Sequence, residues 1–363
     1  MTAARAVDAA FMDRALFWAE RGRGRTSPNP FVGAVVVNAD GIVVGQGTTA
    51  PAGGPHAEVV ALDAAGERAR GSTLYVTLEP CSHTGRTGPC VERVVAAGVR
   101  RVVLAVTDPN PEVSGRGVTY LKSHGIEVLA DVGRVAAARQ HAPFFTWITR
   151  QRPWVVAKAA VSVEGFVGSG PAPVRLTGSV ADRYFHRQRA EVDAIAIGSN
   201  TALVDDPLLT PRGAYRHRPL VRVVFDWHGR VPASARLFST LESGPVIMVV
   251  TGDTRDRQHR HFADLEREGI EIEVFASRDL GPVFNRLGQR QILSLLVEGG
   301  PTLHTALAEA GLIDRVQTVW TPRRLGTGLP AADCMTVVPP AARVRTLHLG
   351  ADQLVEYDVH GID

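Results

Sequence analysis

Cysteine is scarce in this sequence: Cys81, Cys90 and Cys334 are the only three in 363 residues. Three thiols cannot staple a fold of this size, so a disulfide framework is excluded and a reducing, cytoplasmic setting is the default. Aromatic residues make up only 6%. No run of Lys and Arg is interleaved with rings, and Arg21 to Arg25 (RGRGR) is short, which argues against a path for a nucleic-acid strand. Long apolar runs are also missing. None reaches bilayer-spanning length, and the opening MTAARAVDAAFMDRALFWAERG lacks a charged start followed by an uninterrupted apolar core. Neither a membrane span nor a signal peptide is therefore expected. Charge imbalance is small: the formal net charge is +3 and the pI about 9.0. That mildly basic balance suits a protein handling phosphorylated small molecules. No Gly-x-Gly-x-x-Gly follows a strand, so a Rossmann dinucleotide site is not expected.

What is present is a chain with 45% apolar and 21% charged residues, long enough for two or three domains. Phe11, Ala15, Leu16 and Ala19 share a helical face ending near Gly22. Thr26-Ser27-Pro28-Asn29-Pro30 reads as a loop, because two prolines bracket an asparagine. VGAVVVNADGIVVGQG reads as a hairpin turning at Ala39-Asp40-Gly41. HAEVVALDAAGERA then reads as a helix, STLYVTL as a buried strand, and PCVERVVAAG as a helix stopped by Gly98. RRVVLAVTD is a strand, GVTYLKSHG a helix and IEVLA a short strand. This alternation predicts a layered α/β domain. Phe144 to Pro153 reads as the join, giving domains of 1–148 and 152–363. Beyond it WVVAKAAVSV, VDAIAIGS, LVRVVFD, GPVIMVV, IEIEVFA, ILSLLVEGG and RVQTVWTP read as strands, mostly continuous apolar runs as when both faces are covered.

The chemistry concentrates in Pro55 to Gly98. A catalytic zinc site uses three protein ligands and leaves one position for water. His56, Cys81 and Cys90 offer one imidazole and two thiolates, and Glu58, two residues from His56, can face that water without ligating. Pro80-Cys81 follows a strand and Pro89-Cys90 opens a helix, whose N-terminal N–H groups favour thiolate over thiol. The metal lowers the pKa of water, and an adjacent carboxylate can move its proton to a leaving amine. That is hydrolytic deamination of a nucleobase ring, whose zinc enzymes carry His-x-Glu and Pro-Cys-x-x-Cys. His56-Ala57-Glu58 matches outright, whereas eight residues, Ser82 to Pro89, separate the cysteines. Singly, each residue reads as well as core packing; jointly, they point to a metal. Cys334 has no such company and reads as a structural thiol.

SPNPFVGAVVV, HAE, VTLEPCSHTGRTGPC, AAGVRRVVLAVTDPNPEVSGRG and PFFTW resemble the deaminase half of the bifunctional riboflavin-biosynthesis deaminase/reductase family. A long insert between the cysteines is that family's own feature. The resemblance implies a cytidine-deaminase-like three-layer α/β domain with His56, Cys81 and Cys90 on Zn2+ and Glu58 as proton shuttle. It also implies that Asn29, His83, Arg86, Asp108 and Asn110 surround a phosphorylated pyrimidine. Chemically, Arg86 can pair with a phosphate and Asn29 offers both donor and acceptor. Turn chemistry is an equal reading for Asn29 and Asn110, each flanked by prolines.

AKAAVSVEGFVG, AIGSNTALVDDPLLTPR, LVRVVFD and LVEGGPTLHTALAEAGLIDRV resemble the family's reductase half. That implies a dihydrofolate-reductase-like α/β domain using NADPH. By the same resemblance Lys158, Arg189, Leu209, Arg212 and Glu298 meet the substrate, and Ala160, Thr201, Asp205, Gly300, Pro301 and Thr302 meet the cofactor. Gly299-Gly300-Pro301-Thr302 follows a strand and opens a helix, where amides can reach a phosphate, although tight packing uses the same glycines. The implied reactions are deamination of a diaminopyrimidinone ribosylamine phosphate, then hydride transfer to the ribosyl C1′. A homo-oligomer, dimer or tetramer, is implied as well.

Three stretches of the second half depart from the family. Ser162-Val163-Glu164-Gly165 replaces Ser-Leu-Asp-Gly; Pro173-Val174-Arg175-Leu176-Thr177 replaces a Ser-x-Trp-aliphatic-Thr string; and Trp227 stands where a serine commonly follows the strand aspartate. Proline removes a donor, and Arg175 exchanges a flat ring for a charge. These changes set up a second reading, in which the deaminase works and the other half is degenerate or repurposed, serving oligomerisation or a related specialised pathway. A polynucleotide base deaminase is a third reading, weakened by the missing basic, aromatic path.

Overall fold

The computed structural model describes residues 3–82, 88–111, 113–170 and 172–360. The chain divides into two compact units, one running to Gln151 and the other starting at Arg152. In the first, helix α1 (Ala3–Glu20) precedes the hairpin β1 (Gly33–Val37) and β2 (Val43–Thr48). There follow α2 (Ala57–Ala65), β3 (Thr73–Val76), α3 (Cys90–Ala96), β4 (Arg101–Leu104), α4 (Arg116–Ser123), β5 (Glu127–Leu129) and α5 (Arg134–Arg150). The strands form one sheet in the order β2-β1-β3-β4-β5. β1 runs antiparallel to both neighbours, while β3, β4 and β5 are parallel.

All five residues of β1 are buried, which is why GAVVV shows no alternation. Val35, Val36, Leu74, Val103 and Leu104 form the centre of this core with Met12, Ala61 and Leu62 from the helices. Helix α2 lies directly on β2, and glycine makes that approach possible. A Cβ at Gly45 would sit 2.1 Å from the Ala61 carbonyl oxygen, and one at Gly47 would sit 2.4 Å from Val60 Cγ1. Ala57, Glu58, Ala61, Leu62 and Ala65 make the buried face of α2, so one carboxylate is carried inward on an otherwise apolar stripe.

The expected join, Phe144 to Pro153, is largely the end of α5, which passes through Pro143. An internal proline costs a helix about 3 kcal/mol in isolation. Tertiary contacts offset it: Gln140 Nε2 donates to Leu16 O at 3.0 Å and to Glu20 Oε1 at 2.6 Å, and His141 Nε2 lies 3.2 Å from Thr77 Oγ1. The helix stops at Gln151, whose φ of 58° no further turn could use.

The second unit contains β6 (Trp154–Ser162), β7 (Phe166–Gly168), α6 (Ser179–Glu191), β8 (Ala194–Gly198), α7 (Ser199–Asp205) and β9 (Val221–Phe225). It continues with β10 (Val246–Thr251), α8 (Gly252–Arg257), α9 (His259–Arg267), β11 (Glu271–Phe275), α10 (Leu280–Gln289), β12 (Ser294–Val297) and α11 (Pro301–Glu309). Last come β13 (Arg315–Thr321), β14 (Leu329–Pro330), α12 (Asp333–Thr336), β15 (Arg345–Leu349) and β16 (Asp352–Asp358). Nine of these strands form a sheet in the order β11-β10-β9-β8-β12-β6-β13-β16-β15. Pairing is parallel from β11 to β13 and antiparallel for β13-β16-β15. A buried ion pair ties the starts of the neighbouring strands β6 and β13 together: Arg152 donates to Asp314 at 2.6 and 2.8 Å, and Asp314 also accepts Val155 N at 2.8 Å. No helix among the described residues is long and apolar enough to cross a membrane.

Candidate functional site

Sheet direction brings the first unit's chemical residues to one end. The Asn29 loop enters β1, Cys81 lies beyond β3 and Asp108 beyond β4; because β1 opposes β3, with Ala34 beside Val76, all three segments meet at the same edge. Openings beyond the carboxyl ends of parallel strands are where α/β sheets accept ligands. His56 caps the N-terminus of α2 and Cys90 is the first residue of α3, so two helix N-termini face one point.

At that point the ligand atoms of His56, Cys81 and Cys90 lie within 4.8 Å of one another. His56 Nδ1 is 3.2 Å from Cys90 Sγ and 3.6 Å from Cys81 Sγ, and Cys90 N donates to Cys81 Sγ at 3.4 Å. Hydrogen bonding from Cys90 and His56 holds the Cys81 thiol down to about 4, while the neighbouring Cys81 thiolate, with burial, pushes Cys90 up. Hydrogen bonding to Cys81 raises His56 above the ordinary imidazole value. Burial, reinforced by the Cys81 charge, pushes the Glu58 carboxyl up to about 7. One imidazole and two sulfurs converging on one point, with a buried carboxyl beside them, fit a zinc ion: the donors are of the right softness and a dication would stabilise both thiolates.

Asn29 is half-buried, and its turn is made by main chain and by Thr26: Asn29 N donates to Thr26 O at 3.0 Å and Thr26 Oγ1 to Asn29 O at 2.9 Å. Turn formation thus leaves the Asn29 amide unspent. Asp108 is buried and its Oδ1 accepts Asn110 N at 2.8 Å. The Asn110 carbonyl accepts Val113 N and Ser114 N, both at 2.8 Å. His83 and Arg86 lie outside the described residues.

In the second unit, parallel strands again aim their carboxyl ends one way. Glu298 follows β12, Thr201 and Asp205 lie in α7 after β8, and Lys158 is within β6, which pairs with β12. Glu298 receives Arg189 in a two-point grip, Nε to Oε1 at 2.6 Å and Nη2 to Oε2 at 2.8 Å, and Lys158 Nζ at 3.5 Å. Burial opposes ionisation of Glu298, but the Arg189 and Lys158 charges outweigh it and hold the carboxyl well below the carboxylate range. Lys158 Nζ also sits 4.5 Å over the Phe185 ring.

Two cavities flank this network. The larger, about 630 Å³, is lined by Lys158, Arg189 and Arg212. The smaller, about 290 Å³, is lined by Ala160, Thr201, Asp205, Glu298, Gly300 and Pro301. Lys158, Arg175 and Thr177 line both. Thr302 is exposed on the first turn of α11, and Leu209 is buried with a left-handed φ of 55°. Sequence reading passed over Asp182, Arg183 and His186 in the larger cavity. Their spacing with Arg189 on α6 puts 182, 186 and 189 on one helical face, a signal visible once α6 is recognised.

The departing residues acquire specific roles. Glu164 accepts Leu325 N at 2.6 Å and Gly326 N at 3.2 Å, fixing a turn. Arg175 pairs with Asp182, and Pro173 is exposed. Trp227 packs on Phe225, with centroids 5.9 Å apart, and its carbonyl accepts Thr254 Oγ1 at 2.7 Å. Cys334 packs against the second core, its Sγ 3.7 Å from His304 O.

Comparison with known proteins bears on both units. Residues 5–106 match the cytidine and deoxycytidylate deaminase zinc-binding region, and residues 153–347 match the RibD C-terminal domain. The chain is 38% identical over 330 residues to the riboflavin biosynthesis protein RibD of Aquifex aeolicus, covering 91% of each. It is 36% identical over 364 residues to the RibD of Escherichia coli, covering 95% of this chain and 97% of that one. Among solved structures, RibD of Acinetobacter baumannii superposes with a TM-score of 0.84 at 33% identity over 98% of this chain and all of its own. A diaminohydroxyphosphoribosylaminopyrimidine deaminase / 5-amino-6-(5-phosphoribosylamino)uracil reductase from Thermotoga maritima also gives 0.84, at 32% identity over 98% of this chain and 99% of its own.

Proposed function

The chain belongs to the RibD family of riboflavin-biosynthesis proteins, and from that premise we infer how its residues divide two consecutive reactions. It is a zinc-dependent deaminase and a reductase. The observation that carries the residue assignment is the convergence of His56, Cys81 and Cys90 within 4.8 Å. These three hold the zinc, which when bound supplies the Lewis acidity that brings the pKa of water toward neutrality. Glu58, carried inward by the buried face of α2, takes up the proton that water gives up and delivers it to the departing amino group. A C–O bond forms as the C–N bond breaks, and ammonia leaves. Asn29, Asp108 and Asn110, brought to the same sheet edge, orient the pyrimidine ring, and the family resemblance assigns His83 and Arg86 to the same phosphorylated substrate.

NADPH, when bound, supplies the hydride for the second step. Ala160, Thr201, Asp205, Gly300, Pro301 and Thr302 would hold it, and the free N–H groups at the start of α11 would suit a phosphate. Arg212 and Arg189 draw the phosphorylated sugar into the larger cavity, with Leu209 shaping its loop. Hydride adds at the ribosyl C1′ and a proton from water at the ring oxygen, opening the sugar to a ribityl chain. Lys158, Arg189 and Glu298 supply the fixed charges around that carbon. The intact charge network at Glu298 supports a working reductase over a degenerate one.

The substrate of this reading is a diaminopyrimidinone ribosylamine phosphate, and the enzyme is a cytoplasmic homo-oligomer. The decisive experiment is a mass-resolved product assay with that compound, run with and without NADPH. Deamination without cofactor, followed by a gain of two hydrogens when NADPH is added, is the expected result. Deamination with no further reduction would overturn the reductase assignment, and no mass change would overturn the substrate. Light scattering at micromolar concentration tests the oligomer, a monomer mass being the contrary result.

A further inference from the structure

Glu79 precedes Pro80-Cys81 three residues past the end of β3, yet it is buried at 3% exposure. Its carboxylate accepts three main-chain N–H groups: Asp108 N at 3.3 Å and Gly115 N at 3.0 Å on Oε2, and Val118 N at 3.1 Å on Oε1. Gly115 is the N-cap of α4, has no side chain to offer, and stands at φ 74°. Helix N-termini leave several N–H groups unpaired, and a carboxylate is the strongest acceptor for them. Glu79 therefore caps α4 from a distant part of the chain, holding the N-cap and third-residue amides that a local capping box would hold. The docking is tight: a Cβ at Gly117 would lie 2.2 Å from the Pro80 carbonyl oxygen.

We propose that Glu79 is the positioning residue of the deaminase pocket, fixing Asp108 and its Asn110 turn relative to the cysteine loop. The inference rests on the reading that Asp108 and Asn110 meet the pyrimidine. The linkage is continuous: Glu79 holds Asp108 N, Asp108 holds Asn110 N, and the Asn110 carbonyl holds the two amides just ahead of α4. The Cys81 side has supports of its own, since Val91 N donates to Cys81 O at 3.2 Å and Cys90 N to Cys81 Sγ. Losing the Glu79 carboxylate therefore loosens the substrate side and spares the metal side.

The test uses the full-length zinc enzyme and the diaminopyrimidinone ribosylamine phosphate. Glu79→Gln keeps the shape but turns an NH2 toward an N–H donor. KM rises about tenfold with kcat within about twofold, a shift of about 1.4 kcal/mol in binding. Zinc content and the thiolate-to-metal absorption of the cobalt-substituted protein stay as in the wild type. Glu79→Asp, which keeps the charge and shortens the reach, gives an intermediate KM with the same split and carries the test even if Glu79→Gln does not fold. A lowered melting temperature with unchanged KM in both variants overturns the proposal. So does a changed cobalt spectrum with kcat falling alongside, which would make Glu79 a support of Cys81. Asn110→Ala separates the two layers: a wild-type KM there sinks the pocket reading, whereas a raised KM there beside a normal one in Glu79→Gln sinks only the role of Glu79.

Discussion

Replacing Glu298 by Gln removes one buried negative charge and leaves two cations facing each other. Arg189, Lys158 and Glu298 expose only 17%, 13% and 11% of their side chains, so water screens the change poorly. Each cation gains roughly 5 kcal/mol from a carboxylate about 3 Å away at an effective dielectric of about 20, before desolvation is subtracted. Measured losses on breaking one partner of a buried pair are about 3–5 kcal/mol. For a unit of this size that translates to a fall in melting temperature of roughly 6–15 °C, read by calorimetry near neutral pH. The pH dependence has a definite sign. Because the folded carboxyl lies below its ordinary value of 4.5, the wild type's advantage is complete above that value and shrinks as pH falls toward the folded one. The two proteins therefore converge in acid. A melting difference under about 2 °C, or one that persists undiminished in acid, would refute the view that this carboxylate neutralises two buried cations.

Burial holds both His304 and His141 down to about 4, against an ordinary 6.5. Both are neutral when folded, so stability is complete above about pH 6.5 and is lost as pH falls toward 4, up to about 3 kcal/mol for each. Urea unfolding of His304→Gln should lose about half of that acid-side slope; an unchanged slope contradicts the assignment. Gly45→Ala drives a methyl into the Ala61 carbonyl, and the overpacking should cost about 3 kcal/mol in the first unit with weaker zinc retention. A wild-type melting curve would show that α2 is free to lift. Stripping the metal with a chelator should abolish deamination yet leave NADPH-dependent reduction of the already deaminated substrate, followed by loss of absorbance of the cofactor. Loss of both activities would count against separate sites.

The metal cluster was legible because its residue types are few and their company is specific: His-x-Glu, two Pro-Cys pairs and little other cysteine. The order of elements was legible where apolar runs were broken by glycine and proline. Helix α5 was hidden by Pro143, whose cost only tertiary contacts to Gln140 and His141 offset. β16 was hidden because Asp352 and Glu356 are buried in it; they are spent on Gly178 N and on Gln317 Nε2, partners that local sequence does not reveal. The same holds for Glu79, which reads as part of a cysteine motif until its three main-chain partners, some 30 to 40 positions away, are seen.

The placement of β6 has a consequence for synthesis of the chain. It is the first strand of its sheet to leave the ribosome, yet both its neighbours, β12 and β13, come near the end. At translation rates of roughly 5–20 residues per second, about 130 residues must follow before β12 can pair with it, a wait of many seconds. Throughout that time WVVAKAAVS is a nascent apolar strand with two open edges, the kind of segment that joins other chains. Its one charged residue, Lys158, interrupts the run midway. A charge midway along such a run lowers its tendency to join other strands, and in the folded chain the same lysine stands beside Glu298.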